Sequence, residues 1–100
     1  MPRTQPLDAL GNPMRRAILR ELRARPLSVE QIAKRFPVSR PAVSRHLAVL
    51  AKAGLVEVRE AGTLNLYTVR IQGFASVHAY LDDFWGTALD RLQTMAKKER

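Results

Sequence analysis

The sequence contains no cysteine among its 100 residues. This absence excludes disulfide frameworks, thiolate metal sites, iron–sulfur clusters and cysteine nucleophiles. The five glycines occur singly, so the chain has no glycine-rich phosphate loop and no dinucleotide-binding fingerprint. His46 and His78 fall on separate predicted helices, and neighbouring Asp82 and Asp83 would project about 100° apart, which is typical of a solvated face. We therefore predict no enzyme, no metal site and no cofactor.

Long apolar runs are also missing, since no stretch approaches the roughly 20 residues that span a membrane. Residues 1–10 lack the apolar segment of a signal peptide. We expect a soluble, cytoplasmic protein with no membrane partner. The 46% hydrophobic content is that of a folded domain, and the length predicts one domain over residues 1–100.

Acidic residues are scarce: the chain has 9 Asp and Glu but 17 Lys and Arg, which gives a net charge of +8. The excess lies in residues 1–60, which hold 12 basic and 5 acidic side chains; residues 61–100 hold 5 and 4. A concentrated positive field attracts polyanions, with nucleic acid first and an anionic membrane surface second. The alternative is an ordinary solvated face of a small protein.

Helix signals begin near the N-terminus. Leu7 and Leu10 indicate a short helical turn. Asn12–Pro13 predicts the start of a second helix, with asparagine as the N-cap and proline in the first turn, and Arg25–Pro26 predicts its end. Apolar residues at helical spacing predict that one face of this helix is buried.

Two more helix starts follow. Ser28 and Gln31 form a capping box, which predicts a helix of about two turns that lasts until Pro37. Ser39 caps the next helix, and Gly54 is placed to end it in the left-handed conformation. The inward face of this last helix is predicted to contain Val43, Leu47 and Leu50.

The spacing of the apolar residues then changes twice along the chain. Alternating residues over 55–60 and 64–70 predict a β-hairpin whose tight turn is Ala61–Gly62. From about 74 to 96 an apolar stripe at helical spacing predicts a long amphipathic helix. The fold class is therefore mainly α with a β-hairpin wing, a winged helix-turn-helix with the two-helix motif at about 28–53 and the wing at about 55–70.

Four stretches make this pattern recognisable. Residues 10–19, 27–33, 38–50 and 53–56 read LGNPMRRAIL, LSVEQIA, VSRPAVSRHLAVL and AGLV, and they resemble the ArsR-type (ArsR/SmtB-like) winged-helix repressors of bacteria. The match covers about residues 7–70, and spacing, caps and residue types agree across four consecutive elements. The resemblance implies a homodimer that binds a palindromic operator near its own promoter, represses transcription and associates with the bacterial nucleoid.

The helix after Ser39 is the predicted recognition helix. With Val43 facing inward, Pro41, Arg45 and Ala48 point away and Ser44 and Val49 lie on the flanks. Small outward residues let a helix enter the major groove, where an arginine donates two hydrogen bonds to guanine. We predict that Arg45 reads a base.

Further contacts are predicted around this helix. Arg40 lies in the first turn, where it can read a base or hold a phosphate. Ser39 is either a cap or a DNA contact, and His46 is a packing or phosphate-bonding residue rather than a metal ligand. Contacts to the DNA backbone are predicted for Arg15, Arg16, Lys52, Arg59 and Thr63, for which an ordinary solvated side chain is the alternative.

The sequence departs from the family pattern in three places. Pro37 stands in a turn that commonly contains glycine, and the turn geometry must differ because proline cannot take a positive φ. Thr63 follows Gly62 at the wing tip, where an arginine or lysine is usual, so minor-groove reading by the wing is not predicted. The cysteine, aspartate, histidine and glutamate sets of metal-sensing relatives are missing. The chain thus resembles a cysteine-free subgroup whose effector is a small ligand, a protein or none.

The C-terminal helix is predicted to form the dimer, because its stripe is too wide for a single contact. The predicted interface contains Leu7, Leu10, Val77, Leu81, Phe84, Trp85, Ala88, Leu89 and Leu92. One alternative makes Trp85 a core residue of its own chain. Another makes the protein an interaction module or anti-regulator that uses the aromatic residues Phe74, Tyr80, Phe84 and Trp85 and has only non-specific DNA affinity.

Overall fold

A computed structural model describes residues 6–98 of the chain. Residues 1–5 and 99–100 of the predicted domain lie outside the described residues. The elements, in chain order, are helices α1 (Pro6–Ala9), α2 (Pro13–Ala24), α3 (Val29–Ala33) and α4 (Arg40–Lys52), strands β1 (Val56–Ala61) and β2 (Leu64–Val69), a 3-10 helix (Ile71–Phe74) and helix α5 (Ala75–Lys98). The predicted class, mainly α with an antiparallel hairpin, is confirmed.

The predicted helix starts are confirmed by their hydrogen bonds. The Asn12 side chain accepts from the backbone N–H of Arg15 at 3.1 Å. Ser28 Oγ accepts from the N–H of Gln31 at 3.2 Å, and Gln31 Oε1 accepts from the N–H of Ser28 at 2.8 Å. These bonds satisfy backbone donors that have no partner inside the helix.

Helix α3 is shorter than predicted, because it ends at Ala33 instead of continuing to Pro37. The N–H of Val38 donates to the carbonyl of Phe36 at 2.8 Å, which makes a three-residue turn centred on Pro37. Pro37 disfavours the helical conformation of Phe36, so a helix that continued to Pro37 would be unfavourable. Across residues 6–98 only Gly54 and Gly62 have a positive φ, so this turn does without one.

Helix α4 lies at the centre of the hydrophobic core. Val43, Leu47 and Leu50 are fully buried, as predicted. Gly54 has φ +80° and ends the helix, also as predicted. The left-handed conformation at this position favours glycine, because glycine has no Cβ to clash with the backbone. The buried residues that surround α4 are Ile18, Leu19, Leu22, Leu27, Ile32, Leu55 and Val56.

The wing is a two-stranded hairpin whose register runs from Val56 opposite Val69 to Ala61 opposite Leu64. The predicted turn at Ala61–Gly62 is therefore wrong by one residue: Ala61 ends β1, and Gly62 (φ +63°) and Thr63 form the loop. A positive φ at the first loop residue only is the pattern of a type II′ turn, which suits the twist of a hairpin.

The hairpin is attached to the helical core near its base. Leu27 and Tyr67 exchange two backbone hydrogen bonds, of 3.1 and 2.8 Å, so the α2–α3 connection pairs with β2. Toward the tip the apolar–polar alternation does not mark a buried face, because Val58 is 53% exposed. The wing therefore projects from the domain and leaves its outer residues accessible.

Helix α5 leaves the winged domain after one anchoring turn. At its base a Cβ on Gly73 would collide with the carbonyl oxygen of Gly54, so the 3-10 helix packs closely on the end of α4. Val77 is buried, and the side chains from residue 78 to 97 are exposed. The radius of gyration is 17.8 Å, against about 13 Å for a compact chain of this length, because α5 extends into solvent. No helix in residues 6–98 is long and apolar enough to cross a membrane.

Candidate nucleic-acid interface

The outer face of α4 is built by the same periodicity that buries its inner face. Pro41, Ser44, Arg45 and Ala48 are all exposed, as predicted. Val49, predicted on the flank, is half-buried against the core. The exposed surface is therefore a narrow ridge of small side chains from which Arg45 projects.

Arg45 is free to meet a partner. The ion pairs formed among residues 6–98 involve other basic side chains, those of Lys34, Arg35, Arg40 and His78. An arginine that stands on a ridge of small residues can donate two parallel hydrogen bonds to one base edge. The geometry of α4 thus suits insertion into a major groove.

The start of α4 contains a cap and a charge. Ser39 Oγ accepts from the N–H of Ala42 at 3.3 Å, so the capping role is confirmed. Arg40 Nη2 lies 2.8 Å from Glu30 Oε1, and Lys34 Nζ lies 4.0 Å from the same oxygen. Glu30 is half-exposed and holds Arg40 at the positive end of the helix dipole.

Sequence reasoning missed Glu30 as part of this surface. Glu30 lies ten residues before Arg40, in the first turn of α3, where an acidic residue is expected simply because it favours the helix start. The contact follows from the packing of α3 against α4. It pairs the Arg40 guanidinium with a carboxylate in the free protein.

We expect Glu30→Gln to strengthen non-specific DNA binding at low salt, because Arg40 is released and a carboxylate beside the phosphates is removed. If Arg40 then neutralises one more phosphate, the slope of log affinity against log salt steepens by about 0.9. A mobility or anisotropy assay over a salt series measures this slope. Glu21→Gln is the matched control, since Glu21 pairs with Arg35 at 3.1 Å. Equal slopes for Glu30→Gln and the wild type would contradict this role of Glu30.

His46 lies on the flank of α4, half-buried beside two arginines. Partial burial, followed by the positive charges of Arg15 and Arg45, lowers the pKa of His46 from its ordinary value of 6.5. Arg15 in turn ties α1 to α2, because its Nε donates to the carbonyl of Ala9 at 2.6 Å and its Nη2 to that of Asp8 at 3.4 Å. His46 therefore favours its neutral form at neutral pH, and it lies beside an arginine that also ties α1 to α2.

This lowered pKa makes stability depend on pH. The unfolded chain binds the proton of His46 more readily than the folded chain, so the free energy of unfolding falls as pH drops through about 6.5. We expect His46→Gln to lose part of this decline between pH 7.5 and 5.5 in urea unfolding. His78→Gln is the control, because the side chain of His78 is 79% exposed. If the free energy of unfolding falls as much in His46→Gln as in the wild type, the pH dependence arises from other groups.

The remaining predicted contacts lie on different parts of the surface. Lys52 is exposed in the last turn of α4, and Arg59 and Thr63 are exposed on the wing. Arg16 is exposed on α2, where its Nη1 donates to the carbonyl of Leu10 at 2.7 Å beside the 3-10 helix. The assignment of these side chains to DNA contacts stays a prediction.

Comparisons with known proteins agree with this fold. A helix-turn-helix domain model matches residues 10–59. The HTH-type transcriptional regulator Rv2034 of Mycobacterium tuberculosis is 48% identical over 82 residues, which cover 82% of this chain and 77% of that protein.

Two solved structures are also similar over most of their length. A possible transcriptional regulator for arsenical resistance is 39% identical, with a TM-score of 0.76 over 90% of this chain and 94% of that one. An ArsR-like transcriptional regulator from Rhodococcus sp. RHA1 is 32% identical, with a TM-score of 0.71 over 92% of this chain and 86% of that one. This chain belongs to the ArsR family. The predicted winged helix-turn-helix class and the role as a DNA-binding transcriptional regulator rather than an enzyme are confirmed.

Among residues 6–98 of this ArsR-family chain, most of the exposed large apolar side chains lie on α5. Phe84 and Trp85 are 62% and 64% exposed, so the alternative of Trp85 as a core residue of its own chain is wrong. Tyr80 and Phe84 pack edge to face, with ring centroids 5.0 Å apart. Of the predicted interface residues, Leu7, Leu81, Phe84, Trp85, Ala88, Leu89 and Leu92 are exposed, Leu10 is half-buried and Val77 is buried within the chain.

Within residues 6–98 of this ArsR-family chain, no three His, Asp or Glu side chains come together as a possible metal site. His78 Nδ1 lies 3.2 Å from Asp82 Oδ2, but both side chains are exposed and they are one turn apart on α5. Metal independence stays a prediction.

Proposed function

We propose that two copies of this chain form a dimer that binds a palindromic operator and represses transcription. The observation that carries the proposal is the outer face of α4, where exposed Arg45 projects between Ser44 and Ala48. This face belongs to the basic part of the chain, residues 1–60, whose field attracts DNA. Arg45 reads a base edge, and the small residues around it let the helix approach the floor of the groove.

The surrounding cations hold the DNA backbone. Arg40 meets a base or a phosphate at the N-terminal end of α4, where the helix dipole also attracts anions. Neutralising phosphates fixes the register of the protein on the duplex without reading its sequence. The residues assigned to backbone contact are Arg15, Arg16, His46, Lys52, Arg59 and Thr63, with Ser39 and Pro41 beside them at the start of α4.

Dimerisation uses the exposed stripe of α5 together with Leu7 and Leu10. A contiguous apolar patch of several hundred square ångströms is generally covered in soluble proteins. Two-fold pairing covers the stripe and presents two α4 helices, which need a separation of about 34 Å to enter successive major grooves. A palindromic operator matches this symmetry.

Repression follows when the dimer occupies a promoter and excludes the polymerase. We assign the operator to DNA upstream of the chain's own gene, which makes the protein an autorepressor. It acts in the cytoplasm, in association with the bacterial nucleoid.

Footprinting of the DNA upstream of the gene tests the proposal directly. We expect two protected half-sites about one helical turn apart, and addition of the protein to an in vitro transcription reaction lowers the output of that promoter. Protection of a single half-site would exclude the dimer. Unchanged or increased transcription would exclude repression.

Metal ions provide a further test. We expect stoichiometric zinc, nickel, cadmium or arsenite to leave operator affinity unchanged, because the chain has no cysteine and its two histidines lie on different helices. Anisotropy titrations with and without each ion measure this. A stoichiometric site seen by calorimetry that also changes operator affinity would contradict metal independence.

A second candidate function is a protein-interaction module that acts through α5. The exposed Phe84 and Trp85 favour it, because aromatic side chains are enriched where proteins meet. Such a module has only non-specific DNA affinity. A comparison of operator with random DNA of equal length distinguishes the two, since this candidate predicts the same affinity for both at every salt concentration.

A further inference from the structure

The exposed ridge of α4 has an apolar side chain before Arg45 and another after it. Pro41 lies about one turn before Arg45, Ala48 lies just under one turn after it, and all three residues are exposed. At 100° per residue they fall within about 60° of one another, on the side opposite fully buried Val43 and Leu47. Two apolar groups therefore stand on the face that the proposed function turns toward the bases.

The backbone around Pro41 has its hydrogen-bond donors committed. Proline has no N–H, and the N–H of Ala42 donates to Ser39 Oγ at 3.3 Å. The N–H of Val43 donates to the carbonyl of Ser39 at 3.0 Å. The Pro41 ring therefore suits an apolar group in the groove better than a phosphate or a polar base edge.

The base edges of the major groove include one apolar group, the C5-methyl group of thymine. The side chain of Ala48 is itself a methyl group and neither donates nor accepts a hydrogen bond. From this match we infer that Pro41 and Ala48 each contact a thymine methyl group, on either side of the base that Arg45 reads. The inference rests on the proposed function, because it assigns the bases that the same face of α4 reads.

The spacing of these residues along α4 sets the spacing of the bases. At about 1.5 Å per residue, Arg45 lies roughly 6 Å from Pro41 and roughly 4.5 Å from Ala48 along the helix axis. Successive base pairs are about 3.4 Å apart. A helix that lies along the groove aligns each apolar residue with a base pair one or two steps from the guanine that suits Arg45. We therefore expect a half-site in which one G·C pair lies between two A·T pairs.

Selection from a random DNA duplex library with the full chain identifies the half-site. We expect a G·C pair with an A·T pair within two steps on each side. Replacement of the guanine read by Arg45 with 7-deazaguanine weakens wild-type binding about tenfold, because one of two hydrogen bonds from a charged group is lost. The same replacement leaves the affinity of Arg45→Ala unchanged, which identifies that guanine.

Replacement of each flanking thymine by uracil removes only its methyl group. We expect the wild-type affinity to fall about fourfold at each of the two thymines, because an apolar contact is lost. In Ala48→Gly, uracil at one thymine has no effect, whereas uracil at the other still lowers the affinity about fourfold. In Pro41→Gly the two thymines exchange these roles, so each variant is the control for the other.

Ala51→Gly is the matched control for the helix propensity that Ala48→Gly loses. Ala51 is exposed on α4, about 120° around the helix from Arg45. We expect Ala51→Gly to keep the fourfold effect of uracil at both thymines. The uracil measurements on the wild type need no variant, so they test the inference even if a glycine variant does not fold.

The outcomes separate this inference from the proposed function. A specific operator whose affinity is unchanged by uracil at every thymine within two steps of the guanine would overturn the inference and leave the proposed function as it stands. Equal losses at both thymines in the wild type, Ala48→Gly and Pro41→Gly would assign the methyl effect to DNA shape and would also overturn it. Selection that enriches no sequence would overturn the proposed function and this inference with it.

Discussion

Arg45→Ala is expected to lower the affinity for the specific operator by about 1–3 kcal/mol, or roughly fivefold to 150-fold, while the affinity for random DNA changes little. Arg45 is exposed on a helix whose opposite side contains fully buried Val43 and Leu47, so its truncation removes a base contact without opening the core. Paired titrations with operator and random DNA at one salt concentration measure the ratio of the two affinities, which shows whether Arg45 reads a base.

Lys52→Ala serves as the comparison, because an exposed cation assigned to a phosphate weakens binding to every sequence alike and makes the salt slope shallower by about one. A folded Arg45→Ala protein with the wild-type ratio of operator to random affinity would remove Arg45 from base reading. A circular dichroism melt, unchanged from the wild type, confirms that the variant is folded.

Trp85→Glu combined with Leu89→Glu is expected to convert the proposed dimer into a folded monomer and to weaken operator binding about 100-fold or more. Trp85 and Leu89 are 64% and 41% exposed on the single chain, so the charges are tolerated in the monomer and excluded from an apolar interface. The loss is large because two linked half-site contacts commonly gain 100-fold to 10,000-fold over one.

Ala79→Glu with Thr94→Glu is the matched control for α5. Both residues are exposed, lie about 120–180° from Trp85 around the helix, and add the same charge. We expect this control to remain dimeric in sedimentation velocity at micromolar concentration. A wild-type chain that is monomeric there and also monomeric on the operator would exclude dimerisation through α5.

Local residue patterns were sufficient for most of the secondary structure and for the exposed face of α4. The helix-end signals act on backbone groups within a few residues, so their effect is independent of the rest of the fold. These signals are Asn12, the Ser28–Gln31 box, Ser39 and Gly54. The inward positions Val43, Leu47 and Leu50 were predictable for the same reason, because a period of 3.6 residues fixes one face relative to another. Arg45 follows as the outward arginine of that helix.

Contacts between residues distant in the chain were decided by the tertiary structure alone. The Glu30–Arg40 pair depends on the packing of α3 against α4, and the hydrogen bonds between Leu27 and Tyr67 depend on where the wing meets the helical core. The exposure of Trp85 was equally undetermined by its stripe, since an apolar face does not specify which surface covers it.

A groove lined by α2, the end of β2 and the 3-10 helix shows the same difference between local and long-range effects. The sequence alone places Arg16, Arg20 and Arg23 in one row of a helix, since their spacing settles that locally. Only the fold brings Val69, Ile71 and Phe74 beneath them, because the hairpin reverses the chain and returns it some 50 residues later to the side of α2. Local hydrogen bonding and periodicity determine the elements of this protein, whereas long-range packing determines which side chains share a surface.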